Sequence, residues 1–203
     1  MTPDDARRAA GYLTVDELLA ALPDVLVLDP AGTLVSPGVV VAPRAVLYPG
    51  VVLAATDAAV TVGAGEYWPG TRIVARRGAR VTVGAGCLFE GGVTVRAEGP
   101  GRTVRIGDGC RLTNGVELLA DADLGDGAQI LGRITAADVV LAAGGSYADP
   151  DPDARAAVLK GFGTARGVRL GVGDVVDGAG DFARARVRRQ AEYHPKRDDE
   201  ADS

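Results

Sequence analysis

Apolar residues through the middle of this chain recur every six positions. The clearest run is Ile106, Leu112, Leu118, Leu124, Ile130, Ala136 and Ala142. Four places after each stands a second small or apolar residue: Cys110, Val116, Ala122, Ala128, Ile134, Val140 and Ser146. An amphipathic helix would repeat at about 3.6 and a half-buried strand at about 2, so neither explains the pattern. A period of six fits a chain wound as a triangular prism. Each side is six residues long, each coil bonds to the next, the large residue fills the interior, and the small one fits where the sides converge. The string VTVGAG at 60–65 returns at 81–86, with relatives VRIGDG at 104–109, ADLGDG at 122–127 and VRLGVG at 168–173. Glycines suit the corners, where positive φ is cheap for them.

The register can be written out. Val62, Val83, Ile106, Leu124 and Leu170 are expected to share one corner of successive coils. Val41, Leu47 and Leu53 then precede Val62, Trp68 and Val74, which stack under Val83, Phe89 and Val95. Residues in excess of 18 per coil collect at one corner, around 54–59, 75–80 and 96–105. A longer insertion is expected within 147–167, where Asp151, Pro152 and Gly161 supply start and stop signals for a short helix. The reading gives about seven coils, roughly 30–35 Å of prism at one strand spacing per coil. Residues 25–182 form the prism, 1–24 a helical cap and 183–203 a terminal strand and acidic tail. Thr14-Val15-Asp16-Glu17 is a capping box, opening a short helix that can plug the prism's open end. Ala183–Arg188 alternates with arginine on one face, as a last strand would.

These hexads resemble the hexapeptide-repeat, left-handed parallel β-helix superfamily, and the resemblance covers roughly 25–182. The left-handed winding comes from that resemblance, since crossovers are otherwise right-handed. It implies an all-β prism and, most often, a homotrimeric acyltransferase. Such enzymes take acyl-CoA or acyl-carrier protein as co-substrate and have sites in the grooves between prisms. Leu28-Asp29-Pro30 and Gly32-Thr33-Leu34 ahead of the hexads are similar to the start of the acetyltransferase domain in bifunctional N-acetylglucosamine-1-phosphate uridylyltransferases. The superfamily's histidine base is carried on a coil or an extruded loop. Here the one histidine, His194, lies beyond the last coil. One histidine also excludes the branch that binds zinc through three.

Candidate site residues follow. His194 reads either as a partly exposed tail residue or as a catalytic base on a C-terminal arm that crosses to the neighbouring groove, with Glu192 to orient it; the carboxylate Glu90 is the other candidate base. In the segment Glu66, Tyr67, Trp68, Arg72, the register puts Trp68 inside and both charges at small inward positions. A buried unpaired charge there is costly, so either this coil is locally distorted or the two charges pair and line a binding site. Asn114 reads as a positive-φ corner residue, and with Glu117 as a candidate substrate contact. Lys160, Arg166, Arg169, Arg184 and Arg186 form a basic set suited to the phosphates of CoA or a sugar nucleotide, or simply a solvated surface. Cys87 and Cys110 are expected to stack as free thiols in the core. No metal set and no tightly bound cofactor is expected.

Composition bounds the rest. Apolar residues make up 47% but aromatics only 4%, so the core must be aliphatic. A net charge of −5 gives no bulk attraction for nucleic acid. No run of about 18 apolar residues suggests a membrane span. The opening Met1-Thr2-Pro3-Asp4-Asp5 has no basic, apolar leader, so a cytoplasmic chain is expected. Two function classes remain: a transferase acting on a small amino or hydroxyl acceptor, or a non-catalytic trimeric scaffold that binds a ligand or partner.

Overall fold

The structure is a computed structural model and describes residues 2–194. It is a parallel β-solenoid of about seven turns preceded by two short helices. Three files of parallel strands make its faces. The first face stacks Leu26–Val27, Val46–Leu47, Gly65–Tyr67, Cys87–Glu90, Arg111–Thr113 and Gln129–Leu131. The starts of Val158–Arg166 and Asp174–Asp181 complete it. The second begins at Leu34–Val35 and Val52–Thr56 and the third at Val40–Val41 and Ala59–Val62. Later strands, such as Glu117–Leu124 and Ile134–Leu141, run round the corner and serve both.

The six-residue period is the prism's interior. Leu112, Leu118, Leu124 and Ile130 are all fully buried and lie in three separate inner files. The expected corner file Val62, Val83, Ile106, Leu124 is continuous, and Leu141 and Leu170 extend it. Burying each such side chain contributes about 1.5–3 kcal/mol, which lets an aliphatic interior suffice.

Two coils depart from the written register, each because one side is a residue short. Val62 and Tyr67 occupy the positions of Val83 and Phe89. The intervening side therefore spans five residues rather than six. Tyr67 and Ile73 thus point inward, not Trp68 and Val74, and Thr71 rather than Arg72 takes the small inward position. Gly65 permits this tight corner, since a Cβ there would stand 2.5 Å from the Cys87 carbonyl oxygen. Likewise Leu141, not Ala142, stacks on Leu124.

The insertion is also shorter than expected. The 151–161 helix does not form. Asp151 does cap a start, but only a single 3-10 turn, Pro152–Ala154, follows. From Val158 the chain resumes the hexad, because Leu159 fits the interior over Ile130. Lys160 and Arg166 therefore sit on a strand, Val158–Arg166, and not on an extruded loop.

At the N-terminal end, the helix Val15–Ala21 has the expected capping box and puts Leu18 fully buried against the prism's core. A helix not foreseen, Pro3–Ala9, precedes it, with its own capping box from Thr2 and Asp5. Its Arg7 donates to the carbonyls of Leu13, Pro30, Ala31 and Thr33 at 2.7–3.3 Å. At the other end the expected strand 183–188 is instead a 3-10 turn, Phe182–Arg184, and a short strand, Val187–Arg189. That strand pairs antiparallel with Asp174–Val176, which stops the parallel stack from growing. The acidic tail lies outside the described residues. Among the described residues, no helix is long and apolar enough to cross a membrane.

Candidate ligand pocket on the first face

Outward side chains of a strand face form files of every second residue. On the first face one file runs Arg111, Gln129, Val158, Val175, and its neighbour runs Thr113, Leu131, Lys160, Asp177. Most outward residues of a solenoid are wet, yet Gln129, Val158 and Val175 are buried. Two overhangs cover them.

The first overhang is the loop 146–154, which leaves and rejoins the coil at the bridge between Gly145 and Arg155. Its shape is fixed locally. Arg155 donates Nε–H and Nη2–H to the Asp149 carbonyl at 2.8 and 2.6 Å, and Asp149 Oδ1 accepts from Asp151 N at 3.0 Å. Tyr147 lies under the Arg111 guanidinium, 4.8 Å from ring centroid to Cζ. The second overhang is the C-terminal turn 190–194. Buried Gln190 donates Nε2–H to the Ala156 carbonyl at 2.7 Å, and Ala191 N–H donates to Asp153 Oδ1 at 3.2 Å. Arg189 bonds Asp174 Oδ1 and the Val172 carbonyl at 2.8 and 2.6 Å. The two overhangs are thus tied to each other through Asp153 and Ala156.

Between them lies a cavity of about 280 Å³. Its floor is Gln129, Leu131, Val158 and Val175, its walls include Tyr147, Arg155 and Lys160, and Tyr193 and His194 border its mouth. Lys160 Nζ is 3.1 Å from Asp177 Oδ2 and 4.4 Å from the Tyr193 ring centroid. Arg188 also donates to the Tyr193 hydroxyl, at 3.4 Å. The chamber combines an apolar floor, aromatic sides and cationic heads. Those are the elements of a small-molecule site, at the lower end of the usual size range.

Of the candidates named from sequence, this pocket gathers His194 and Lys160. The others are dispersed. Arg166 and Arg169 border a separate cavity of about 240 Å³ at the prism's C-terminal end, with Phe182 and Val187. Arg169 is bound there to the Asp138 main-chain carbonyl and, at 2.8 Å, to its carboxylate. Arg184 and Arg186 are exposed and border neither cavity, so the basic set is not one cluster. Glu192 accepts from Arg189 N–H at 3.1 Å, in place of orienting the imidazole. Glu90 is half-buried on the same face, two rungs away from Leu131.

The segment around Trp68 changes most. Because its side is one residue short, Glu66 and Arg72 point outward from different faces, and neither charge is buried. Glu66 Oε2 accepts from Trp68 Nε1–H at 3.0 Å, and the indole lies 5.5 Å from the Tyr48 ring. Tyr67 is a core residue and not a substrate contact. Its hydroxyl donates to the Gly63 carbonyl at 2.9 Å, and burial holds its phenol far above the usual range. Asn114 has φ 63° as expected and bonds Thr113, while Glu117 accepts from the Thr135 hydroxyl at 3.2 Å. Cys87 and Cys110 are free and buried, their thiols donating to Gly107 and Gly125 carbonyls at 3.1 and 3.2 Å. Contact with the Cys87 thiol, followed by burial, raises the Cys110 thiol well above the usual range.

Gln129, Tyr147 and Arg155 were not foreseen. Gln129 is one residue before inward Ile130, an ordinary solvated position until the overhangs close on it. Among the described residues, no three of the metal-ligating types cluster so as to hold an ion. The chain matches no protein-family model and no curated protein.

Proposed function

We propose that this chain is a hexapeptide-repeat transferase that binds a small amino or hydroxyl acceptor in the first-face pocket and acylates it from acyl-CoA. The observation that carries the reading is that the chain's one histidine, remote from every coil in sequence, borders the same cavity as Lys160 and Arg155. In this scheme the acceptor's nitrogen or oxygen attacks the thioester carbonyl carbon and its proton passes to His194. The C–S bond then breaks, and the departing CoA thiolate takes the proton back from the imidazolium. Lys160 and Arg155 give cationic contacts for a phosphate or carboxylate. A homotrimer belongs to the same proposal.

Calorimetric titration with CoA, followed by thiol release from acetyl-CoA in the presence of a panel of small amines, tests the scheme. The expected result is binding, and turnover lost in His194→Ala. No CoA binding at millimolar concentration, or turnover indifferent to His194, ends it. One observation favours a second reading, a scaffold. Leu26 and Leu28 are exposed on the first face, and Tyr48 and Trp68 follow in its outward file. Self-association lost in Trp68→Glu, together with no thiol release from acetyl-CoA by the unaltered chain, would support it.

A further inference from the structure

We infer that Gln129 makes the pocket a reader of groups that present an N–H and a C=O on the same side: a primary carboxamide or a lactam ring. Gln129 is 5% exposed and forms part of the cavity floor. Its main-chain N–H is spent on the Ala157 carbonyl at 3.0 Å. Its side-chain amide bonds no other described residue and opens on the cavity. An amide that opens on a cavity is satisfied by whatever fills that cavity. The rest of the floor is Leu131, Val158 and Val175, which offer nothing to it. Its natural partner is therefore a ligand.

The amide's own chemistry narrows the class. A glutamine side chain presents one acceptor and one donor side by side. A primary carboxamide or lactam meets both in a closed pair of hydrogen bonds. A secondary amide in the usual trans form has its N–H and C=O on opposite edges and meets only one. A flat ring carrying the group also suits the apolar floor and the flanking Tyr193. The inference shares the pocket with the transferase reading but does not depend on acyl transfer. Its test contains no acyl donor, so each can fail alone.

The probes are 2-pyridone against N-methyl-2-pyridone, and benzamide against N-methylbenzamide, titrated by ligand-observed NMR. The expected outcome is binding of 2-pyridone and benzamide, about tenfold or more weaker for the partner compound lacking the matching group. Gln129→Leu should fold and lose the discrimination. Gln129→Glu should reverse it, because a carboxylate cannot donate. Benzamide then weakens and benzamidine, with two N–H groups on one side, gains. Equal affinities within each pair, discrimination that survives Gln129→Leu, or no binding of any probe at millimolar concentration each overturns the inference.

Discussion

The two ends of the prism are closed in different ways, and only one of them leaves room for a ligand. At the N-terminal end a side chain enters the prism: Leu18 is fully buried among core residues. Arg7 seals the edge by satisfying four main-chain carbonyls. At the C-terminal end Phe182 is buried in the same core cluster, but the chain that follows it does not enter. The chain laps over the outside, and a flat overhang bridging a corner cannot follow the surface beneath it. Spaces of about 280 and 240 Å³ remain under and beside it. A plug serves stability, whereas a lap can make a site.

The largest effect that would break this contrast is on stability. Leu18→Ala should cost about 2–5 kcal/mol in urea denaturation, the range for a large-to-small change in a packed interior. Tyr193→Ala, a half-buried lap residue, should cost no more than about 1 kcal/mol. Similar costs at the two ends would mean that the lap is as much a structural closure as the plug.

A second comparison concerns unpartnered polar groups. The Thr71 hydroxyl is buried with no partner, in an inner file between Val51 and Val93. Nothing can reach it, so Thr71→Val should stabilise the fold by about 1–2 kcal/mol with no other consequence. The Gln129 amide also bonds no other described residue, but it opens on a cavity. Gln129→Leu should also stabilise, at the expense of ligand recognition, because functional sites retain groups that stability alone would not. A Gln129→Leu that gains stability and keeps probe discrimination would make the two positions alike.

The capping box supplies a smaller effect. Thr14 Oγ1 accepts from Glu17 N–H at 3.2 Å. Thr14→Ala should cost about 1 kcal/mol, measured by the same denaturation. It should do so with the C-terminal pocket intact, so affinity for 2-pyridone is the control.

The fold was legible because few architectures besides a three-sided solenoid repeat every six residues, and because Leu112, Leu118 and Ile130 obey that period strictly. The errors of register come from single-residue shortening at corners. Gly65 hides one of these: nothing in GAGEYW tells which of Tyr67 and Trp68 faces inward until the coils above and below are stacked. The helix expected at 151–161 failed for a different reason. Asp151 and Pro152 are true start signals, but Leu159 gains more by filling the prism than a short exposed helix could return. Of the site, His194 was visible as the chain's one histidine and Lys160 as a member of a basic set. Gln129 was not, since its burial is imposed by residues near 147 and 190, far away in sequence.

The smallest effect lies at the plugged end and depends on pH. Glu17 Oε2 accepts from Thr14 N–H at 2.8 Å, and Oε1 pairs with Arg8 at 3.0 Å. The first of these, then the second, hold its carboxyl below the usual glutamate range. A depressed folded value means that the contribution is present above the ordinary pKa and is lost as pH falls through the folded one. The carboxyl lies at the surface, so the change is confined to the helix it caps. The Leu18 amide, bonded to the Thr14 carbonyl at 2.9 Å, should therefore exchange faster with solvent once Glu17 is protonated, after correction for intrinsic pH dependence. In Glu17→Gln, whose carbonyl still accepts the Thr14 bond, that acid step should vanish. If it persists, another group governs the plug, and the closure of this end is not the local device that its capping box makes it.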